Sequence, residues 1–171
     1  MPTYIVPTYI APPYTIRATK PGDAPAVRAM TAAVGVFSAE EIAAVGELLA
    51  TYFDQGAETS GYHFLSYVEE DATVGFACFG PRPLAKGVFD LYWIVTAPES
   101  GRRGIGGKLL SAVADAVAAQ RGRMIVAETS GRADYAGTRA FYIGHGYRAE
   151  AVIADFYAPG DDLVVFVYRV A

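Results

Sequence analysis

Residues 91–110, LYWIVTAPESGRRGIGGKLL, run from an apolar, β-branched stretch through Pro98 into a loop holding four glycines and two arginines, then into apolar residues at helical spacing. The first part reads as a strand ending at Thr96. The last part reads as a helix marked by Ile105, Leu109, Val113 and Val117 and stopped by Gly122. The next apolar run, MIVAETS at 124–130, is a buried strand. A strand, a helix and another strand in succession form a crossover, which requires the two strands to lie parallel.

The flanking segments extend this pattern. YTIRA at 14–18 is a short strand, and Asp23 has the chemistry of a helix N-cap, with Pro25 in the first turn of a helix expected to reach about Val36. SAEE at 38–41 fits a capping box, and Ile42, Val45, Leu48, Leu49, Tyr52 and Phe53 form the apolar stripe of a second helix. Residues 62–80 read as two strands around an acidic turn, and 88–96 as a third strand in an antiparallel meander. RAFYIGHGY at 139–147 holds a short helix ending near Gly146, with two further strands expected around 149–156 and 163–170. The class is α+β on a mixed sheet.

Composition limits what the chain does. Its 171 residues, 53% hydrophobic, are enough for one domain with a proper core. Residues 1–13 read as an N-terminal extension and 14–171 as a single domain. The extension repeats PTYI at 2–5 and 7–10, and the prolines of PTYIVPTYIAPPYTI oppose helix, so an extended tail is expected. With 14 basic and 18 acidic residues the chain lacks the basic field that nucleic-acid binding favours, so any anion site must be local. Cys78 is alone and reads as a small buried strand residue. With only His63 and His145 beside it, no metal site is expected. No apolar run is long enough to span a membrane and no leader pattern opens the chain, which points to a soluble cytoplasmic protein. Both histidines read as incidental.

The loop at 100–108 is not a Walker phosphate loop, because Arg102 and Leu109 stand where glycine and Ser or Thr are required. It is not a dinucleotide fingerprint either, since Leu109 occupies the third glycine position. Its physical content remains: a strand ends, a glycine-rich turn exposes backbone N–H groups, and a helix aims its positive end at the same place. Such a place binds phosphate. Gly104, Gly106 and Gly107 let an anion approach the backbone, and Arg102, Arg103 and Lys108 add local positive charge.

LYWIVTAPESGRRGIGGKLL resembles the acyl-CoA-binding segment of the GNAT superfamily of N-acetyltransferases, whose pattern is strand, short turn, Arg/Gln-x-x-Gly-x-Gly/Ala, helix. RAFYIGHGY resembles the family's second motif, a Tyr followed shortly by Gly and an aromatic residue. The resemblance covers most of residues 14–170. It implies a mostly antiparallel central sheet with a splayed parallel strand pair and flanking helices. It also implies that acetyl-CoA is the cosubstrate, with its pyrophosphate on the backbone of 102–107, including Ile105, and its pantetheine along the main chain of Ile94, Val95 and Thr96. Two positions depart from the pattern: Gly101 stands at the motif's first position, with Arg102 one place later, and Tyr135 stands where an Asn is often found seven residues before the tyrosine.

The implied reaction is direct attack of an amine on the thioester. It needs a neutral nucleophile, stabilisation of charge on the carbonyl oxygen, and a proton for the departing thiolate. By resemblance Tyr142 is the general acid, a backbone N–H near Ile94–Thr96 meets the carbonyl, and Asp90 stands where relatives carry a glutamate that takes the amine's proton. Glu128, in a largely apolar strand, is the other candidate base, expected to be buried. In relatives the first two helices and the last hairpin wall the acceptor site. Tyr52, Phe53, Tyr92, Trp93, Phe156 and Tyr157 are therefore candidate lining residues, and Asp155, Asp161 and Asp162 candidate partners for a cationic amine. The resemblance implies a small or peptidic primary amine as acceptor; neither nucleic acid nor membrane is expected as partner, and a homodimer is left open. A non-catalytic acyl-CoA-binding module of the same fold is the alternative.

Overall fold

Among the described residues, seven strands form one sheet in the order β1-β2-β3-β4-β5-β7-β6. They are β1 (Tyr14–Ala18), β2 (His63–Glu69), β3 (Ala72–Pro81), β4 (Val88–Thr96), β5 (Met124–Ser130), β6 (Arg148–Ala158) and β7 (Asp161–Arg169). Four α-helices of the described residues flank them: α1 (Ala24–Ala33), α2 (Ala39–Ser60), α3 (Ile105–Ala119) and α4 (Ala136–Gly144). The computed structural model describes residues 13–170, so the reading of the preceding extension as a tail lies outside the described residues. Every neighbouring pair is antiparallel except β4 and β5, which are parallel as the crossover requires. Among the described residues, no helix is long and apolar enough to cross a membrane.

Alternation along the strands divides the core between the two faces of the sheet. Ala77 and Phe79 of β3 pack with Leu109, Val113 and Val117 of α3, while Phe76 and Cys78 pack with Val27 of α1 and Val45 and Leu49 of α2. Cys78 is fully buried, as the sequence suggested, and burial pushes its thiol up.

One irregularity redirects β4. Cys78 pairs with Trp93 and Phe79 with Leu91, so Tyr92 is the extra residue of a bulge. Before it, Phe89 and Leu91 face α3; after it, Ile94 faces that side and Trp93 and Val95 face α1 and α2. A one-residue insertion in a period of two reverses the faces in this way. Pairing between β4 and β5 ends at the same place. It runs from Val88↔Met124 to Leu91↔Ala127, and beyond those residues the two strands have no partner in each other.

Local sequence accounts for most element boundaries. Ser38 and Glu41 make the expected capping box: Ser38 N–H donates to Glu41 Oε2 (2.8 Å) and Glu41 N–H to Ser38 Oγ (3.2 Å). Helix α1 stops at Ala33, short of Val36, because Gly35 takes a left-handed φ of 77°. Asp23 has helical backbone angles, and its carboxylate does not cap α1. Instead it accepts from Lys20 N–H (2.7 Å), from both terminal nitrogens of Arg17 (2.7 and 3.0 Å) and from Thr73 Oγ1 (2.8 Å). This ties β1, the start of α1 and β3 together around one buried residue, 8% exposed.

The Arg17 guanidinium holds the Asp23 carboxyl well below the usual carboxylate range. A carboxyl with a lower pKa folded than unfolded stabilises the fold above its unfolded pKa, and that stability is lost as pH falls toward the folded value. Asp23→Asn is therefore expected to cost about 2 kcal/mol at pH 7. Denaturant titrations of wild type and variant should show a constant gap from pH 5 to 8 that narrows below about pH 4.

Candidate active site

Where β4 and β5 part, the sheet opens, and two cavities meet in the opening. The larger, about 1040 Å³, lies among α1, α2, the β3–β4 turn and the β6–β7 hairpin. The smaller, about 480 Å³, lies between the start of α3 and α4. Ile94, Thr96 and Thr138 line both, so the two join past the free segment of β4.

The smaller cavity is built from the glycine-rich loop. Arg102 and Gly104 both take left-handed φ values, 62° and 75°, which turn the chain into α3. The first hydrogen bond of that helix runs from Lys108 N–H to the Gly104 carbonyl (3.1 Å), so the amides of Ile105, Gly106 and Gly107 precede the ladder. All three residues line the cavity with Arg102 and Ser100. Gly106 and Gly107 have a further role that the sequence did not reveal: they let α4 close on α3. A Cβ on Gly106 would lie 3.0 Å from the Phe141 ring, and one on Gly107 would collide with the His145 imidazole.

His145, read from sequence as incidental, lines this cavity, packs at a tilt against the Phe141 ring and donates through Nδ1–H to the Phe141 carbonyl (2.8 Å). Of the loop's three cations only Arg102 lines the cavity. Arg103 pairs with Glu69 of β2 (2.8 Å), and the Lys108 ammonium sits 4.0 Å from the centre of the Tyr14 ring and donates to Tyr67 Oη (3.3 Å). Those charges are taken up at β1 and β2, where the helix turn points them.

The larger cavity holds the candidate acid and bases. Tyr142 projects from α4, is 5% exposed, packs on Tyr147 and Phe166 and lines the cavity. Burial raises its phenol well above the ordinary range, so it is protonated at neutral pH. Asp90 lies two residues before Tyr92, the extra residue of the bulge. Its side chain is 16% exposed, and its carboxyl is raised chiefly by burial, against a lowering by Arg82, with nearby Glu128 adding to the rise. Glu128 is a correction to the sequence reading. It lines the cavity but its side chain is 40% exposed, because it lies beyond the last rung shared with β4. Arg82 joins the two carboxylates, with Nε 3.4 Å from Asp90 and Nη2 3.0 Å from Glu128. Nothing in the sequence singles it out, since an arginine in a Pro-flanked turn carries no motif.

The expected aromatic walls are present in part. Trp93, in edge contact with Phe37, lines the cavity with Tyr157 and Tyr92. Burial, reinforced by Asp90, pushes the Tyr92 phenol up to about 12. Tyr52 and Phe53 instead pack into the core beneath α2, and Phe156 is exposed at the sheet edge. Of the three aspartates only Asp161 lines the cavity, where it accepts from the Ser130 hydroxyl. Asp162 and Asp155 stitch a bulge in β6: Asp155 N–H donates to Asp162 Oδ1 (2.9 Å) and Gly160 N–H to Asp155 Oδ1 (2.6 Å). Among the described residues no group of three or more His, Cys, Asp or Glu side chains is placed to hold a metal ion.

Comparison with known proteins gives this arrangement its family. The family model described as an acetyltransferase (GNAT) domain matches residues 60–149. A solved protein from Desulfovibrio desulfuricans, described as an acetyltransferase of the GNAT family, is 41% identical, superposes with a TM-score of 0.89, and the match covers 92% of this chain and 99% of that one. The ribosomal-protein-S18-alanine N-acetyltransferase from Escherichia coli shares the fold at 18% identity (TM-score 0.71; 92% and 94% covered). So does a Salmonella typhimurium protein described as an acetyltransferase and solved with its cofactor acetyl-CoA, at 19% identity (TM-score 0.71; 94% and 95% covered). Among curated proteins none matches significantly. On the family match over its central half and the 41% identity across nearly all of its length, the chain belongs to the GNAT family of acetyltransferases and is an acyltransferase.

Proposed function

We propose that the protein transfers an acetyl group from acetyl-CoA to a primary amine by direct attack. The observation that carries this reading is the pair of cavities on opposite sides of the sheet, joined at the splay, one lined by helix-start amides and the other by Tyr142 and Asp90. The smaller cavity fits the coenzyme. The amides of Ile105–Gly107 and the Arg102 side chain suit a pyrophosphate, and the stretch of β4 from Ile94 to Thr96, free on its β5 side, offers main-chain groups to an extended amide chain. Arg103 and Lys108 act at a distance in this reading, as structural partners of β1 and β2. The larger cavity takes the amine.

Acetyl-CoA supplies an acyl group activated as a thioester. Asp90 takes the first proton, from the incoming ammonium, and the amine nitrogen bonds to the carbonyl carbon; as the carbon–sulfur bond breaks, Tyr142 gives its phenol proton to the leaving sulfur, and the second proton shed by the nitrogen as the amide forms restores the Tyr142 phenol. Asp90 is favoured over Glu128 because it is the less solvated of the two, and desolvation makes a carboxylate a better base at neutral pH.

Three measurements test the reading. In a thiol-release assay across a panel of amines, Tyr142→Phe should lower kcat by about 100-fold with the KM for acetyl-CoA within about twofold; full activity in this variant would remove Tyr142 from the mechanism. The pH profile of kcat/KM should rise through an acid limb above the ordinary carboxylate range, near pH 4, and Asp90→Asn should abolish that limb while Glu128→Gln retains it. Coenzyme A should raise the melting temperature where ATP does not, and Arg102→Ala should weaken coenzyme binding by about tenfold. Tight coenzyme binding without thiol release for any amine would leave only a binding module.

A further inference from the structure

We propose that Arg82 is a positioning residue for acyl transfer: its guanidinium clamps Asp90 of β4 to Glu128 of β5 across the last rung the two strands share, and so fixes where the base points. The inference rests on the reading of Asp90 as the base.

The placement follows from the strand register. Gly80 of β3 pairs with Asp90, and residue 82, two positions on, emerges on the same face, its N–H donating to the Val88 carbonyl (2.8 Å). On β5, Val126 pairs with Asp90, so Glu128, two positions on, also shares that face. The final parallel pair is Leu91↔Ala127. Asp90 therefore lies just before the parting of the strands and Glu128 just after it, with the arginine touching both at 3.4 and 3.0 Å. Residue 80 is glycine for a related reason: a Cβ there would collide with the Gly61 carbonyl at the end of α2, so no side chain stands between Arg82 and its partners on that row.

Stability alone is a poor account of this clamp. Arg82 and Glu128 are about two-fifths exposed, and pairs so exposed contribute little to folding. The clamp does act on charge. Two carboxylates on one face of adjacent strands repel, and the cation between them offsets that repulsion. The groups facing Asp90 are Arg82 from the β3–β4 turn, Glu128 from β5 and Tyr92 from its own strand, with Tyr62 behind Tyr92. Arg82 is the cation of that set. Without it, Asp90 has a like charge beside it and nothing opposing, so it holds its proton to higher pH and is a base in a smaller fraction of molecules at neutrality.

The test follows Asp90 directly and through turnover, on the full chain. Carboxyl-¹³C NMR of aspartate-labelled protein without coenzyme, with Asp90→Asn to assign the signal, should show the Asp90 midpoint about one pH unit higher in Arg82→Gln than in wild type. The acid limb of kcat/KM, measured with an amine the wild type accepts, should move by the same amount. On the acid limb, below both midpoints, activity should fall about tenfold while the KM for acetyl-CoA stays within twofold. Arg82→Lys should restore part of both shifts, and adding Glu128→Gln to Arg82→Gln should bring the midpoint back down. An unmoved Asp90 midpoint in a folded Arg82→Gln protein, or in Arg82→Ala should the glutamine variant not fold, overturns the inference. A midpoint that moves while the limb does not also overturns it, because Asp90 is then not the base. Absence of turnover in wild type with every amine instead sinks the acetyl-transfer reading, and is told apart because the NMR titration needs no turnover.

Discussion

The site depends on the parting of β4 and β5 at the Tyr92 bulge. A parallel pair that stayed in register to Thr96 would close the sheet and leave no passage between its faces. The bulge changes two things together. It exchanges the faces of β4, so that Ile94 looks toward α3 and α4 while Trp93 looks toward α2, and it ends pairing with β5 after Leu91. The freed segment lies on the boundary of both cavities. Helix α4 also reaches the gap: Tyr142 packs in the core on the α3 side yet lines the cavity that opens on the other. The helices contribute through their ends and faces, but it is the strand geometry that brings the two cavities into contact.

Much of this was legible in the sequence because local patterns control it. Capping chemistry marked the start of α2, alternation and β-branching marked the strands, and the order strand, glycine loop, helix, strand required one parallel pair. Features that depend on register were hidden. VFDLYWIVT is apolar or aromatic apart from Asp90 and the closing Thr96 and gives no sign that Tyr92 is the odd residue, yet that residue decides which neighbours face each cavity. The same ignorance of register made Glu128 look buried: its strand neighbours are covered, but β4 has already turned away from it. Arginines and lysines in a loop are also poorly read from sequence, since consecutive residues there point in unrelated directions. Arg102 reaches the smaller cavity while Arg103, the next residue, is bound to β2. Asp23 had the right chemistry for a cap, but a guanidinium six residues earlier took its carboxylate into an ion pair.

The glycine loop shows how one composition serves two physical needs. Gly104 takes a backbone angle that other residues adopt at a cost, which allows the abrupt entry into α3. Gly106 and Gly107 are needed for closeness: Phe141 and His145 of the second motif occupy the space where their side chains would be. The two sequence motifs, more than thirty residues apart, are therefore one packing unit, and the width of the smaller cavity is set by how closely α4 approaches α3. A substitution in either helix alters the other's contribution to the cavity.

Burial also assigns opposite proton roles to the proposed acid and base. Removing water disfavours the charged form of any group, so it raises both the carboxyl of Asp90 and the phenol of Tyr142. For the carboxyl the rise brings proton affinity closer to neutral pH, where a base is useful. For the phenol it secures the protonated state, which is the state an acid must start from. One environment thus separates the two roles without requiring a different kind of surrounding for each. The carboxyl needs a limit that the phenol does not, because too great a rise would leave it protonated, and a cation at its side supplies that limit. This explains why a partly exposed arginine stands beside the candidate base, while among the described residues the candidate acid is shifted by burial alone.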